Sequence, residues 1–443
     1  MGLNKGVTVA LCGRVFTAAG KGIIENGCVV YREGAIVDVG TRGEVEIPGD
    51  AHVVELPGAT FMPGLVDAHI HFTGLRTGDY IKEPLVTPYA TLVARAIRDL
   101  EALLEAGYTT VVDTGGLIAL QLRQAEREGT ISSPRIVAAG PPVSQTFGHG
   151  DVHYLPAEYV DVRTSRLQLP FQPLLCDGAD ECRKAARYAL RMGVDFIKVF
   201  TTGGVASQLD RPEYPQMTAE ELEAVVEEAR RARRFVHAHA EGAEGIVNAL
   251  RAGITRIAHA MFIDDEGIGL ALERNAVLIP TLSIARLLAE RGEELGVPEW
   301  AVEKAREVHR VHVENIRRAY RAGVRMATGT DFFFNPEGVP TYGRNSMEVV
   351  ALVEEVGMAA SEALEAATRH AAYVAGLDHC AGSLEKGYVA DIAAVKDNPL
   401  DDPKVLLDPD NVLLVVKEGT VQKNLTEQSI PDTPPANPVC TPK

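Results

Sequence analysis

The chain of 443 residues carries 44 Lys and Arg against 61 Asp and Glu, a net charge of −17 near pH 7 that disfavours nucleic acid and anionic membrane surfaces as partners. It is long enough for two or three ordinary domains, or for one barrel of roughly 250 residues with a smaller companion. There is no run of 18 or more apolar residues, and the N-terminus "MGLNKGVTVALCGRVF" has no basic segment leading into an apolar one, so a non-exported, cytoplasmic protein without a membrane span is expected.

From residue 7 to about 58 the chain reads as short β-rich runs, "VTVALCGRVF", "GCVVYREGAIVDVG" and "AHVVEL", broken by Gly, Asn and Asp. From about residue 61 short apolar strands alternate with longer amphipathic stretches. The strands are "PGLVDAHIHF", "YTTVVDTGG", "PRIVAAGPP", "VDFIKVFTTGG", "RFVHAHAEG", "ITRIAHAM", "AVLIPTLS" and "VRMATGTDFF". Between them lie segments such as "TLVARAIRDLEALLEAG" and "TAEELEAVVEEARRAR", with apolar residues at i, i+3, i+4 and i+7. Strand and helix alternating eight times predicts an α/β protein built on a parallel (β/α)8 barrel, with an open doubly wound sheet as the other architecture of this rhythm. One long loop, residues 146–177, interrupts it after the third strand; on a barrel such a loop lies over the active site. Past two helices near 345 to 376, "GYVADIAAVKDN" and "VLLVVKEGTVQKN" return to β character. The expected organisation is a composite β-sandwich from residues 1–60 and 377–426, a barrel over 61–376 and a loose or surface-draped Pro-rich tail over 427–443. Cysteines at 12, 28, 176, 182, 380 and 440 form no CxxC pair or tight framework, and reduced thiols are expected.

His69 and His71 sit at alternate positions of the opening strand, so both imidazoles face one space. A pair alone is weak, but other strands also end on metal-ligating or polar groups: Lys198 on the fourth, His237 and His239 on the fifth, His259 on the sixth and Asp331 on the eighth. Each by itself reads equally as a snorkelling lysine, a core histidine or a helix cap. Together, at the ends of barrel strands where catalytic groups gather, they point to a metal centre.

The motifs "PGLVDAHIHF", "FIKVFTTGG", "HAHAEGAEGI", "AGITRIAHA" and "GTD" resemble the amidohydrolase superfamily, in particular its binuclear-metal subgroup of prolidase-like dipeptidases, Xaa-Arg and Xaa-Lys carboxypeptidases and ochratoxin-type amidases. The resemblance extends through "GSLEKGYVADIAAVKDNPLDD", nearly the whole chain. It implies two divalent transition-metal ions, Zn foremost with Co, Mn or Fe also fitting. His69 and His71 would bind the first, and His239 and His259 the second. Lys198, carbamylated by carbon dioxide, would bridge them, and Asp331 would complete the first site. The implied reaction is attack by a metal-bridging hydroxide on an amide carbonyl, with Asp331 passing the proton to the leaving nitrogen. A small-molecule substrate and a homo-oligomer are also expected.

Deaminases of the superfamily usually carry His-x-x-Glu on the fifth strand, whereas position 242 is glycine; with Lys198 on the fourth strand, this favours hydrolysis of an amide-type bond over deamination of a ring. Dipeptide-cleaving relatives place an aromatic or histidine two residues after the fifth-strand ligand, where this chain has Glu241. Candidates for substrate contact are His149 in the long loop, Glu241 and His237, the last also reading as a packed side chain behind the site. Arg163 and Arg166 are weaker candidates, and part of the trio Phe332, Phe333 and Phe334 is expected to line an apolar pocket. His52, His309 and His312 read as solvated or structural. The leading function is cleavage of a dipeptide or N-acyl amino acid. Carbamate or urea hydrolysis is the alternative, and a non-catalytic metal-binding barrel acting in assembly is a third reading.

Overall fold

A computed structural model describes residues 7–20, 22–435 and 440–443. Residues 1–6 and 21 of the expected β unit, and 436–439 of the expected tail, lie outside the described residues. The N-terminal strands are β1 (Thr8–Phe16), β2 (Ile23–Arg32), β3 (Ala35–Thr41) and β4 (His52–Pro63). Side chains alternate across β1 and β2: Val9, Leu11, Val29 and Tyr31 enter one apolar cluster, and Ala10, Cys12, Cys28 and Val30 enter another on the opposite face.

The barrel follows, with β5 (Leu65–Ile70), β6 (Tyr108–Asp113), β7 (Arg135–Ala138), β8 (Val143–Ser144), β9 (Leu174–Leu175), β10 (Ile197–Phe200), β11 (Val236–Ala240), β12 (Arg256–His259), β13 (Val277–Ile279) and β14 (Arg325–Met326). Its pairings are parallel. β7 pairs with β6, and its continuation β8 pairs with β10, the chain turning between them at Gly140 with φ +61°. The ring closes where Ala68 N donates to Thr328 O (2.9 Å) and Asp331 N donates to His69 O (2.7 Å). β5, β6 and β11 are buried along their whole length, as expected of strands covered by helices on one side and filled on the other. Helices fall where the apolar period placed them, for instance Tyr89–Glu105 and Ala219–Arg231, the latter opened by a capping box between Thr218 and Glu221.

β15 (Ile392–Lys396), β16 (Val412–Lys417) and β17 (Thr420–Asn424) return to the first four strands. One seven-stranded sheet results, in the order β17-β16-β15-β4-β1-β2-β3, and β15 runs antiparallel to β4 from Ile392 opposite Pro63. The fold is therefore a TIM-like barrel with a β-sandwich assembled from both ends of the chain. No helix among the described residues is long and apolar enough to cross a membrane.

Three expectations change. The six cysteines form three disulfides, Cys12–Cys28, Cys176–Cys182 and Cys380–Cys440, in place of reduced thiols. Such bonds persist in oxidising surroundings, which counts against the reducing cytoplasm assumed from the sequence. The first joins register partners of the β1/β2 pair. The end of the tail, expected loose, is pinned: Cys440 is buried beside Phe196, Leu377 and Val389, and Lys443 N donates to Gly376 O (3.0 Å). The long loop is also more regular than its sequence suggests, since β9 within it pairs with β8 and Cys176 N donates to Ser144 O (2.9 Å).

Unfolded without reductant, the protein should expose no reactive thiol, and six after reduction. Cys380→Ser with Cys440→Ser, opening a bond between residues 60 apart, should lower the stability by roughly 4 kcal/mol, read from the denaturant midpoint.

Candidate metal centre

The inward-facing ends of the barrel strands carry the titratable groups. His69 is the penultimate residue of β5 and His71 follows its end. Lys198 lies within β10, His239 within β11, and His259 ends β12. Asp331 is brought beside β5 by the closure bonds.

Two clusters of three donors result, each with its ligand atoms within 4.8 Å of one another: His69, His71 and Asp331, and His239, Glu241 and His259. In the first, Asp331 Oδ1 lies 3.2 Å from His71 Nε2 and 3.5 Å from His69 Nε2. In the second, Glu241 Oε1 lies 3.7 Å from His239 Nε2. Lys198 Nζ lies 3.3 Å from His69 Nε2.

The outer nitrogens of three rings are already engaged. His71 Nδ1 meets Gly115 O at 3.0 Å, His259 Nδ1 meets Thr281 Oγ1 at 2.8 Å, and His69 Nδ1 meets His237 Nε2 at 3.0 Å. Partners of this kind fix ring orientation and turn the Nε2 atoms inward, as in metal sites.

The electrostatics favour neutral donors. Burial lowers the pKa of His69, His239 and His259 well below the ordinary value, and the Lys198 charge adds to it. Burial also brings Lys198 down to about 7, against the pull of Asp331, Asp113 and Glu241. His71 is the exception: burial opposes its charge, but Asp331 and Asp113 hold its pKa above the ordinary value. Burial, followed by repulsion from Asp210, raises Glu241 well above the carboxylate range. Neutral imidazoles and a lysine poised to lose its proton are the forms that a cation requires, so the residues present fit a divalent metal pair.

A cavity of about 550 Å3 contains both clusters and an apolar wall that includes Met261, Ile284 and Leu288. A second, of about 890 Å3, adjoins it across His71, His149, Asp331 and Phe333 and is aromatic, with Tyr80, Tyr154 and Phe171. His149 reaches in from the long loop, its ring stacked on His239 at 4.1 Å and its Nδ1 2.7 Å from Ser207 Oγ. Gly204 lets the backbone pass these rings, because a Cβ there would lie 2.3 Å from His149 Cε1.

The structure brings together His69, His71, His149, Lys198, His239, Glu241, His259 and Asp331. It places His237 elsewhere: bonded to His69 and lining neither cavity, it backs the site and does not face a substrate. Arg163 is taken up by Asp161, and neither it nor Arg166 lines a cavity. Of the three phenylalanines only Phe333 faces the cavities; Phe332 and Phe334 are core. His312 is fully buried, its Nε2 3.0 Å from His259 O. Sequence reasoning did not find Thr281, which orients His259, or Lys304, whose Nζ donates to Gly204 O and Ser207 O and so holds the loop after β10. Thr281 gave a faint signal as a polar residue past the apolar end of the seventh strand; Lys304, on a helix, gave none.

Comparison with known proteins agrees with this arrangement. Residues 60–421 match the model of the amidohydrolase family. Ochratoxinase of Aspergillus niger is 35% identical over 431 residues, covering 94% of this chain and 87% of the relative. Its crystal structure superposes with a TM-score of 0.83 at 32% identity, over 95% of this chain and 96% of that one. A Xaa-Pro dipeptidase solved with methionine in its active site gives 0.82 at 32% identity, over 94% and 99%.

His239→Asn should abolish metal retention at the second cluster, since it removes a donor. His237→Ala should weaken retention at the first by about 10- to 100-fold, because His69 loses the partner that sets its tautomer. Metal analysis after dialysis checks both, and the reverse ranking would exchange the roles of the two histidines.

Proposed function

The chain belongs to the amidohydrolase family and acts on carbon–nitrogen bonds, and from that premise we propose that it hydrolyses the amide of a dipeptide or N-acyl amino acid at a pair of divalent transition-metal ions, zinc foremost. The observation that carries this is the pair of donor clusters with Lys198 buried in the same cavity, its Nζ 3.3 Å from His69 Nε2. A lysine brought down to about 7 by burial loses its proton near neutrality and can capture carbon dioxide, giving a carboxylate equivalent on a long stem that joins the two sets. His69, His71 and Asp331 would hold one ion and His239 and His259 the other, with a carbamate on Lys198 as the ligand common to both. Bound there, such a pair supplies a polarised carbonyl and a water activated at neutral pH. The protein's own contributions are three. Asp331, between the two cavities, takes a proton at its free carboxylate oxygen and returns it to the leaving nitrogen. His149, its ring fixed by His239 and Ser207, orients the carbonyl. The aromatic outer cavity and the apolar inner wall bind the two sides of the scissile bond and exclude bulk water.

A reading as a non-catalytic barrel has no support in a chain that keeps a full donor set lining one cavity and adjoining a second, aromatic one. A second catalytic reading has one observation in its favour. Among the described residues no arginine lines either cavity, and Lys198 is the only lysine that does, so neither residue type is free there to pair with a substrate carboxylate. Uncharged carbamates or ureas would need no such partner.

A hydrolysis screen on zinc-loaded protein, setting dipeptides and N-acyl amino acids against their C-terminal amides, carbamates and phenylureas, separates the readings. Turnover of the amino-acid substrates supports the first and turnover of only the uncharged ones the second, while no turnover of any overturns both.

Lys198→Ala should fold, bind metal poorly and lose activity, with partial recovery in added acetate or propionate. Full activity without added acid would remove Lys198 from the bridge. Because only the neutral amine captures carbon dioxide, reconstitution of metal-free protein with bicarbonate and zinc should be slow below about pH 7 and speed up as pH rises through that value. The rate of activity recovery reads this directly.

A further inference from the structure

Glu241 has no task in the chemistry just described. It lies just past the end of β11, where its N–H donates to Thr202 Oγ1 (2.9 Å) and its carbonyl accepts from Phe262 N (2.8 Å), so its backbone is fixed on both sides. The side chain is 4% exposed. Oε2 is buried with no hydrogen-bond partner among the described residues, and the nearest cation-forming group to Oε1 is His239, at 3.7 Å. A buried carboxylate oxygen left unpaired is strongly unfavourable, and the apolar side chains of Met261, Ile284 and Leu288 across the cavity offer it nothing.

Its neighbours supply the explanation. The carboxylate stands with His239 and His259 as Asp331 stands with His69 and His71: two imidazoles and one carboxylate in each group, with Lys198 lining the same cavity. We propose that Glu241 is a ligand of the second metal ion, completing with His239 and His259 a donor set that matches the first. This rests on the two-ion reading above. Charge supports it, since two divalent ions would bring four positive charges into a buried site where Asp331, a carbamate on Lys198 and an activated hydroxide would offset three. A carboxylate facing substrate would have to turn out of the group it already occupies, toward a wall without donors. A fixed anionic ligand here also disfavours substrates that present a carboxylate to the inner cavity.

The test is zinc binding by wild-type protein and by Glu241→Gln, a near-isosteric change, measured by chelator competition after carbamylation with bicarbonate. Wild type should hold two ions, and the variant should hold one as before while binding the second at least about tenfold more weakly. Two ions held by the variant within about threefold of wild type overturn the proposal and return Glu241 to a substrate contact. A wild type that never binds a second ion overturns it too, and removes the two-ion reading with it. If the variant does not fold, a crystal structure of zinc-loaded wild type decides. A Glu241 oxygen within about 2.2 Å of the second ion supports the assignment, and one beyond about 3 Å refutes it.

Discussion

One buried carboxylate holds the barrel closed at the site. Asp67, 1% exposed, accepts from the backbone N–H of His69 (3.1 Å) and Thr330 (3.2 Å), the hydroxyl of Thr330 (2.7 Å) and the amide of Asn345 (2.7 Å). It thereby ties the first strand to the segment after the eighth, and the distance between His69 and Asp331 follows from that tie. Burial still raises its pKa to about 6 in spite of four hydrogen bonds from three residues, so desolvation outweighs them. A carboxylate bonded on all sides in a dry place costs more to disrupt than to keep, because losing one partner leaves the others facing an uncompensated charge.

The barrel was legible because its strands are buried on both faces and its helices on one, so that each element carries its own pattern. His69 with His71 was legible for a related reason, since alternation within a single strand decides which way side chains point. Contacts between strands were not. His239 and Glu241 approach His259 because β11 and β12 pair with Ala240 opposite His259, and no single-strand pattern contains that register. The disulfides failed to show for the same reason in two cases and not in the third. Cys12 and Cys28 face each other once β1 and β2 are folded as a hairpin, so the signal was present in the spacing. Cys176 and Cys182, six residues apart across the join of a loop and a helix, and Cys380 with Cys440, which meet only through the path of the tail, left none.

The two cavities divide a substrate's demands between them. The outer one, with its aromatic rings, is suited to a flat apolar group held by its faces. The inner one combines the donors with small aliphatic side chains, so that a bond lying over Asp331 has its two halves in chemically different surroundings. Discrimination between substrates would then arise largely on the inner side, where a mismatched polar group meets either an apolar wall or Glu241.

His259, Ala260, Thr281 and Asp331 all have left-handed backbones, with φ of +70°, +53°, +56° and +55°, at the ends of the sixth, seventh and eighth strands. Side chains other than glycine tolerate that region poorly, at about 1–3 kcal/mol each. Four such residues side by side mean that this rim of the barrel is bent at the expense of the folded state's own stability. At three of the four, glycine would relax the backbone only by deleting the ring of His259, the hydroxyl of Thr281 or the carboxylate of Asp331, whereas at Ala260 it would remove no more than a methyl group. Strain at those three positions therefore stays with the site, and added stability has to come from elsewhere in the scaffold.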